Sequence, residues 1–149
     1  MQAERRVLVI DDDQTIRDSL AAILKDEGYD VDEAEDGGEA IKKTKKRTYN
    51  AALIDIKLPD ISGIELLTRL KDSHPKMKKI ILTGFPSQQN AIAALNDGAD
   101  AFLVKPVEVQ KMLEILRKQL DKQKQEVEVS QDSIAKFIKT KIKDLDSSS

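Results

Sequence analysis

Four short charged or hydroxyl-bearing signals follow separate apolar runs, and their residue types describe a site that handles phosphate. Asp11, Asp12 and Asp13 follow Val7-Leu8-Val9-Ile10, and Asp55 follows Ala51-Ala52-Leu53-Ile54. Thr83 follows Lys79-Ile80-Ile81-Leu82, and Lys105-Pro106 follows Ala101-Phe102-Leu103-Val104. Crowded carboxylates resist joint ionisation: at an effective dielectric near 20, two unit charges about 4 Å apart repel by roughly 4 kcal/mol. A hard divalent cation relieves that repulsion, and Mg²⁺ favours one or two protein carboxylates, several waters and a phosphate oxygen. Phosphoryl transfer needs mainly an in-line nucleophile and neutralisation of charge on the transferring oxygens. Asp55 stands alone after its run and suits the nucleophile; the cation, Lys105 and the Thr83 hydroxyl suit the oxygens.

These residues can cooperate only if the elements carrying them end at one place. Apolar runs of strand length begin near Val7, Val31, Ala51, Ile80 and Ala101, with helical patterns between them. That alternation predicts a parallel sheet built from βα units. In a doubly wound sheet of strand order 2-1-3-4-5, ligands bind beyond the carboxyl ends, at the switch point between the first and third strands. The acidic cluster and Asp55 end those two strands, while Thr83 and Lys105 end the fourth and fifth.

The first helix has Ile16, Leu20, Ile23 and Leu24 on one face, with Asp13 as its N-cap and Gly28 as its left-handed terminus. Further helices are expected at about 38–46, 62–73 and 87–96, with Pro75 a stop after the third. A fifth begins after Pro106, carrying Val109, Met112, Leu113, Leu116 and Leu120 on one face. Residues 4–122 thus read as one α/β domain, and 123–149 as a polar joint followed by an extra amphipathic helix. That helix carries Ile134, Phe137, Ile138, Ile142 and Leu145, with Ser130 as its N-cap. The valines of Glu126-Val127-Glu128-Val129 favour a break; one helix from Pro106 to Leu145 is the alternative.

Composition excludes several functions. The chain has 149 residues, no cysteine and one histidine, His74, so thiol catalysis and zinc sites of the Cys or multi-His type are out of reach. Formal net charge is -2, which gives no electrostatic footprint for direct nucleic-acid binding. No apolar stretch reaches the roughly 20 residues that span a bilayer, and Asp11 interrupts any secretory apolar region. A cytoplasmic protein without membrane contact is expected.

The motif set resembles the receiver domain of two-component response regulators. It consists of Val9-Ile10-Asp11-Asp12-Asp13, Leu53-Ile54-Asp55 with Leu58-Pro59-Asp60-Ile61-Ser62-Gly63, Ile81-Leu82-Thr83-Gly84 and Phe102-Leu103-Val104-Lys105-Pro106. The resemblance implies a flavodoxin-like (βα)5 fold and a stand-alone phosphoacceptor switch rather than an enzyme with external substrates. It implies that Asp55 accepts phosphate from a sensor histidine kinase or phosphotransfer protein. Mg²⁺ would be held by Asp11, Asp12, Asp55 and the Lys57 backbone carbonyl. Thr83 and Phe102 match the paired switch positions, and Lys105-Pro106 matches a peptide bond that is usually cis. The implied output surface is the fourth helix, fifth strand and fifth helix, read by a downstream protein or by a second copy. Lys57 and Phe85, both bulky, flank the implied approach of hydrolytic water and should slow phosphate loss.

Two other classes fit less well. An aspartate-nucleophile phosphatase usually carries a second acid two residues after the nucleophile, where this chain has Lys57. A mononucleotide binder needs Ser, Thr or Gly in its first loop, where this chain has three aspartates that would repel phosphate.

Overall fold

In a computed structural model that describes residues 5–70, 73–84 and 88–147, five strands alternate with five helices. The strands are β1 (Arg6–Ile10), β2 (Asp30–Ala34), β3 (Ala51–Asp55), β4 (Lys78–Thr83) and β5 (Ala101–Val104). The helices are α1 (Gln14–Asp26), α2 (Gly37–Lys46), α3 (Gly63–Arg69), α4 (Gln88–Asn96) and α5 (Val109–Ser147). All strand pairs are parallel, as the alternation predicts, and the order is β2-β1-β3-β4-β5, the order expected from the resemblance.

Parallel strands covered on both faces read as continuous apolar runs rather than alternating ones. Every residue of β3, and Val7 to Ile10 of β1, is buried. Successive side chains then feed two cores. Val7, Val9, Leu53, Ile80 and Leu82 pack with α1 and α5, while Leu8, Ile10, Ala52, Ile54 and Ile81 pack with α2, α3 and Ala94 of α4.

Local chemistry sets the helix ends. Asp13, Asp36 and Ser62 each accept a hydrogen bond from the backbone N–H three residues on, which satisfies a donor the helix leaves open. Gly28 follows α1 at φ +96, a conformation that side chains with a Cβ rarely adopt. α3 is shorter than its apolar pattern suggests: Leu70 turns extended at ψ 137 and buries itself instead.

The chief departure lies at the carboxyl end. α5 runs for 39 residues without interruption, so no joint separates the domain from an extra helix, and Ser130 lies within the helix rather than capping one. Two valines cost only a few tenths of a kcal/mol each in helix propensity, about 0.5 or so relative to Ala. Tertiary contacts at the same level outweigh that cost. Gln123 donates to the carbonyls of Asn50 and Lys76, and Glu126 accepts from Lys78 Nζ at 2.9 Å. Among the described residues no helix is long and apolar enough to cross a membrane.

Candidate functional site

The carboxyl ends of β1, β3, β4 and β5 bring the expected residues together. Asp11 is fully buried, Asp55 is buried and Asp12 is exposed; ligand oxygens of the three lie within 4.8 Å of one another. Asp11 is held on both oxygens: Oδ1 accepts from the Asp13 N–H at 3.0 Å and Oδ2 from Lys105 Nζ at 2.9 Å. Lys105 also reaches Asp55 Oδ2 at 3.2 Å. Asp55 Oδ1 accepts from the Lys57 N–H at 3.1 Å, which orients the carboxylate across the crevice. Lys105 thus bridges two of the three carboxylates.

The electrostatics follow from that imbalance. Burial pushes the Asp55 carboxyl above its ordinary value, and the neighbouring Asp11 adds to the rise, against the Lys57 N–H and Lys105. Burial acts to lower Lys105, yet its hydrogen bond to Asp11 and the charges of both aspartates raise it above its usual value. The site is short of positive charge and partly open through Asp12. Hard carboxylate oxygens, two buried and one facing water, fit a hydrated divalent cation such as Mg²⁺, which would be held by Asp11, Asp12 and Asp55.

Thr83 ends β4 and is buried; its carbonyl accepts from the Lys105 N–H at 2.8 Å. Register pairs Asp55 with Leu82, so Thr83 lies one residue beyond the level of the carboxylate. Phe102, opposite Ile81 in β5, is half-buried and packs against the core formed with α2, α3 and α4. The Lys105-Pro106 bond is cis, as is His74-Pro75. Asp13 caps α1 and stands outside the carboxylate cluster. Lys57 is exposed in the loop after β3, and Phe85 lies outside the described residues.

Two residues of that loop gain their roles only in three dimensions. Both oxygens of Asp60 accept backbone hydrogen bonds, from Gly37 and Gly38 at 2.9 Å each, which hold its carboxyl below the ordinary range. The loop that carries Lys57 is thereby tied to the start of α2. Gly63 reaches back to donate to the Ile56 carbonyl at 2.8 Å, and a Cβ there would come 2.4 Å from the Asp55 carbonyl oxygen. Close backbone approach, rather than an unusual φ, demands glycine. Neither role has a periodic sequence signal; Pro59-Asp60-Ile61-Ser62-Gly63 marks only a turn.

Comparison with known proteins agrees with this geometry. The family model described as response regulator receiver domain matches residues 7–117. A CheY-like response regulator receiver domain protein from Methanospirillum hungatei superposes with TM-score 0.79 at 44% identity, covering 83% of this chain and 99% of that one. A response regulator from Burkholderia pseudomallei, crystallised with a phosphorylated aspartic acid, calcium ion and citrate, gives TM-score 0.72 at 32% identity, covering 83% of this chain and 72% of that one. Response regulator MprA of Mycobacterium ulcerans is 33% identical over 130 residues, 87% of this chain and 56% of its own length. The chain spans about half the length of the first curated relatives it matches.

Proposed function

This chain belongs to the response regulator receiver family of two-component signalling, and from that premise we propose that Asp55 is its phosphoacceptor. The observation that carries the proposal is the buried Asp55 carboxylate at the end of β3, gathered with Asp11 and Asp12 and bridged to Asp11 by Lys105. A sensor histidine kinase or a phosphotransfer protein supplies the phosphoryl group. An Asp55 oxygen forms the new O–P bond as the P–N bond to the donor imidazole breaks, its electron pair leaving with the ring nitrogen. When bound, Mg²⁺ neutralises charge on the phosphoryl oxygens.

The protein groups do the rest. Asp11, Asp12, Asp55 and the Lys57 carbonyl would hold the cation. The Lys57 N–H keeps Asp55 Oδ1 oriented, and Lys105 transfers its contact from Asp55 Oδ2 to a phosphoryl oxygen. Phosphorylation replaces a charge near -1 by one of about -1.5 to -2 with three strong acceptors, and Thr83 then donates to one of them. Phe102 follows Thr83 inward and alters the α4-β5-α5 surface, where a downstream protein or a second copy docks. A full reversal from 1:99 to 99:1 would require about 5.5 kcal/mol of differential stabilisation, so a partial population shift is the expected response.

Acetyl phosphate with Mg²⁺ provides the direct test, read by intact mass. One phosphoryl group should add to the wild type, none to Asp55→Asn, and none to the wild type in EDTA. Equal labelling of Asp55→Asn would refute the site. Lys57→Asn should shorten the phosphate lifetime in the same assay; an unchanged lifetime removes crowding by Lys57 from the account.

A further inference from the structure

Asp11 and Asp12 are consecutive, so the peptide that joins them governs where their two carboxylates point. The Asp11 N–H donates to the Ala34 carbonyl at 3.1 Å, and its carboxylate accepts from the Asp13 N–H and Lys105 Nζ. Its carbonyl, which belongs to the joining peptide, is held by a side chain of another element. Arg17 Nη1, in the first turn of α1, donates to that oxygen at 2.7 Å.

The same guanidinium is fixed at a second point. Arg17 Nε lies 3.3 Å from Glu33 Oε1 on β2, and Glu33 pairs in register with Val9, two residues before Asp11. That oxygen is shielded from water, which favours a charged partner beside it. The Arg17 side chain is only 13% exposed, so this is not a solvated surface pair of the kind that contributes little. Asp18, Glu35 and Glu39 line the cleft next to it. Neutralising those acids would need a charge alone; a short bond to a backbone carbonyl of the neighbouring loop needs direction as well. A planar guanidinium supplies both, reaching acceptors on two separate segments at once, where a lysine ammonium is a single point charge.

We propose that Arg17, braced by Glu33, is a positioning residue for the divalent-cation site: it fixes the Asp11-Asp12 peptide so that both carboxylates face the crevice with Asp55. This rests on the reading of Asp11, Asp12 and Asp55 as the cation-binding acids. Two effects of Arg17 on that site have opposite sign. Its positive charge opposes the arrival of a cation, whereas its hold on the peptide favours it. Loss of an outer partner of a metal ligand typically costs about 10–100-fold in metal affinity, so the hold should win.

NMR titration of the full chain with Mg²⁺, without phosphodonor, measures cation binding apart from phosphoryl transfer and reports folding in the same spectra. Arg17→Met should bind Mg²⁺ about tenfold or more weakly than wild type. Unchanged or tighter binding overturns the proposal, since removal of a nearby positive charge would by itself tighten it. Arg17→Lys keeps the charge and carries the test if Arg17→Met does not fold. It should also bind more weakly than wild type, and wild-type affinity there overturns the two-point hold. Glu33→Gln should weaken binding by itself and add nothing in the Arg17→Met background; an additive loss overturns the route through Arg17. In acetyl phosphate labelling, Arg17→Met should need more Mg²⁺ for half its maximal rate while the rate at saturating Mg²⁺ stays within about threefold of wild type. A loss confined to the saturated rate overturns the proposal. A wild type that binds no Mg²⁺ would instead overturn the cation reading of the three aspartates, and this proposal with it.

Discussion

Two lysines each meet two carboxylates at opposite ends of the same sheet, and the two clusters differ in which partner is buried. At the carboxyl ends, Lys105 bridges Asp11 at 2.9 Å and Asp55 at 3.2 Å, and the acid side chains are 0% and 9% exposed. At the amino ends, Lys78 meets Glu126 at 2.9 Å and Asp100 at 3.9 Å, and there the lysine is 8% exposed while the acids are 57% and 30%. Exposed acids relax into water when their partner leaves; buried acids cannot. The first cluster therefore keeps carboxylate charge out of water, which supports the proposed cation and phosphoryl site. The second ties α5 to β4 and offers no comparable site. The same residue types make a buried acidic cluster or a fastening according to which charge the fold withholds from solvent.

The sharpest way to break this contrast is to remove each lysine in turn. Lys105→Met should slow phosphorylation by acetyl phosphate about a hundredfold, the order lost when one preorganised charge-stabilising donor is removed. Lys78→Met should leave that rate within about twofold and cost only about 0–1 kcal/mol of stability, because Glu126 and Asp100 return to water. Equal rate losses in rapid-quench labelling would erase the distinction between the two ends.

A smaller effect probes the fastening itself. Gln123→Leu removes the donor to the Asn50 and Lys76 carbonyls and should cost about 1–3 kcal/mol in urea denaturation, without changing the labelling rate. An unchanged denaturation midpoint would show that α5 is held by its apolar stripe alone.

The smallest effect concerns pH. Burial, reinforced by Asp11, raises Asp55 in the folded state, so across the window from the ordinary carboxylate range up to that raised value the folded protein binds more protons than the unfolded one. This contribution to stability is present below the ordinary value and is lost as pH rises through the raised one. In EDTA, Asp55→Asn should accordingly melt higher than wild type at neutral pH, with the gap closing as pH falls. Each kcal/mol moves the melting temperature by about 2–4 °C in chains of roughly this size. A gap that widens on acidification would contradict the sign.

Much of this was written locally. Continuous apolar runs marked strands covered on both faces, and charged residues directly after them marked the strand ends that converge. Asp13 and Gly28 carried the ends of α1 in their own chemistry, since an N-cap and a left-handed terminus are decided within a few residues. The convergence of Asp11, Asp12, Asp55, Thr83 and Lys105 at one end of the sheet was legible for the same reason: each sits at a boundary between an apolar run and a turn.

Tertiary structure decided what depends on residues far apart in the chain. The join between Asp60 and the Gly37 and Gly38 amides spans more than 20 residues and has no periodic mark. Gly63 is required because two backbones meet, a contact no window around it reveals. The paired valines near residue 127 do not break α5, because Gln123 and Glu126 are fastened across the sheet at that level. Which lysine stands among buried acids and which is buried among exposed ones is likewise settled by depth. The sequence by itself determined the strands, the ends of α1 and the residue types at the strand ends; depth, the property that separates the Asp11 and Asp55 cluster from the Lys78 fastening, exists only after folding, because burial is a relation among distant segments.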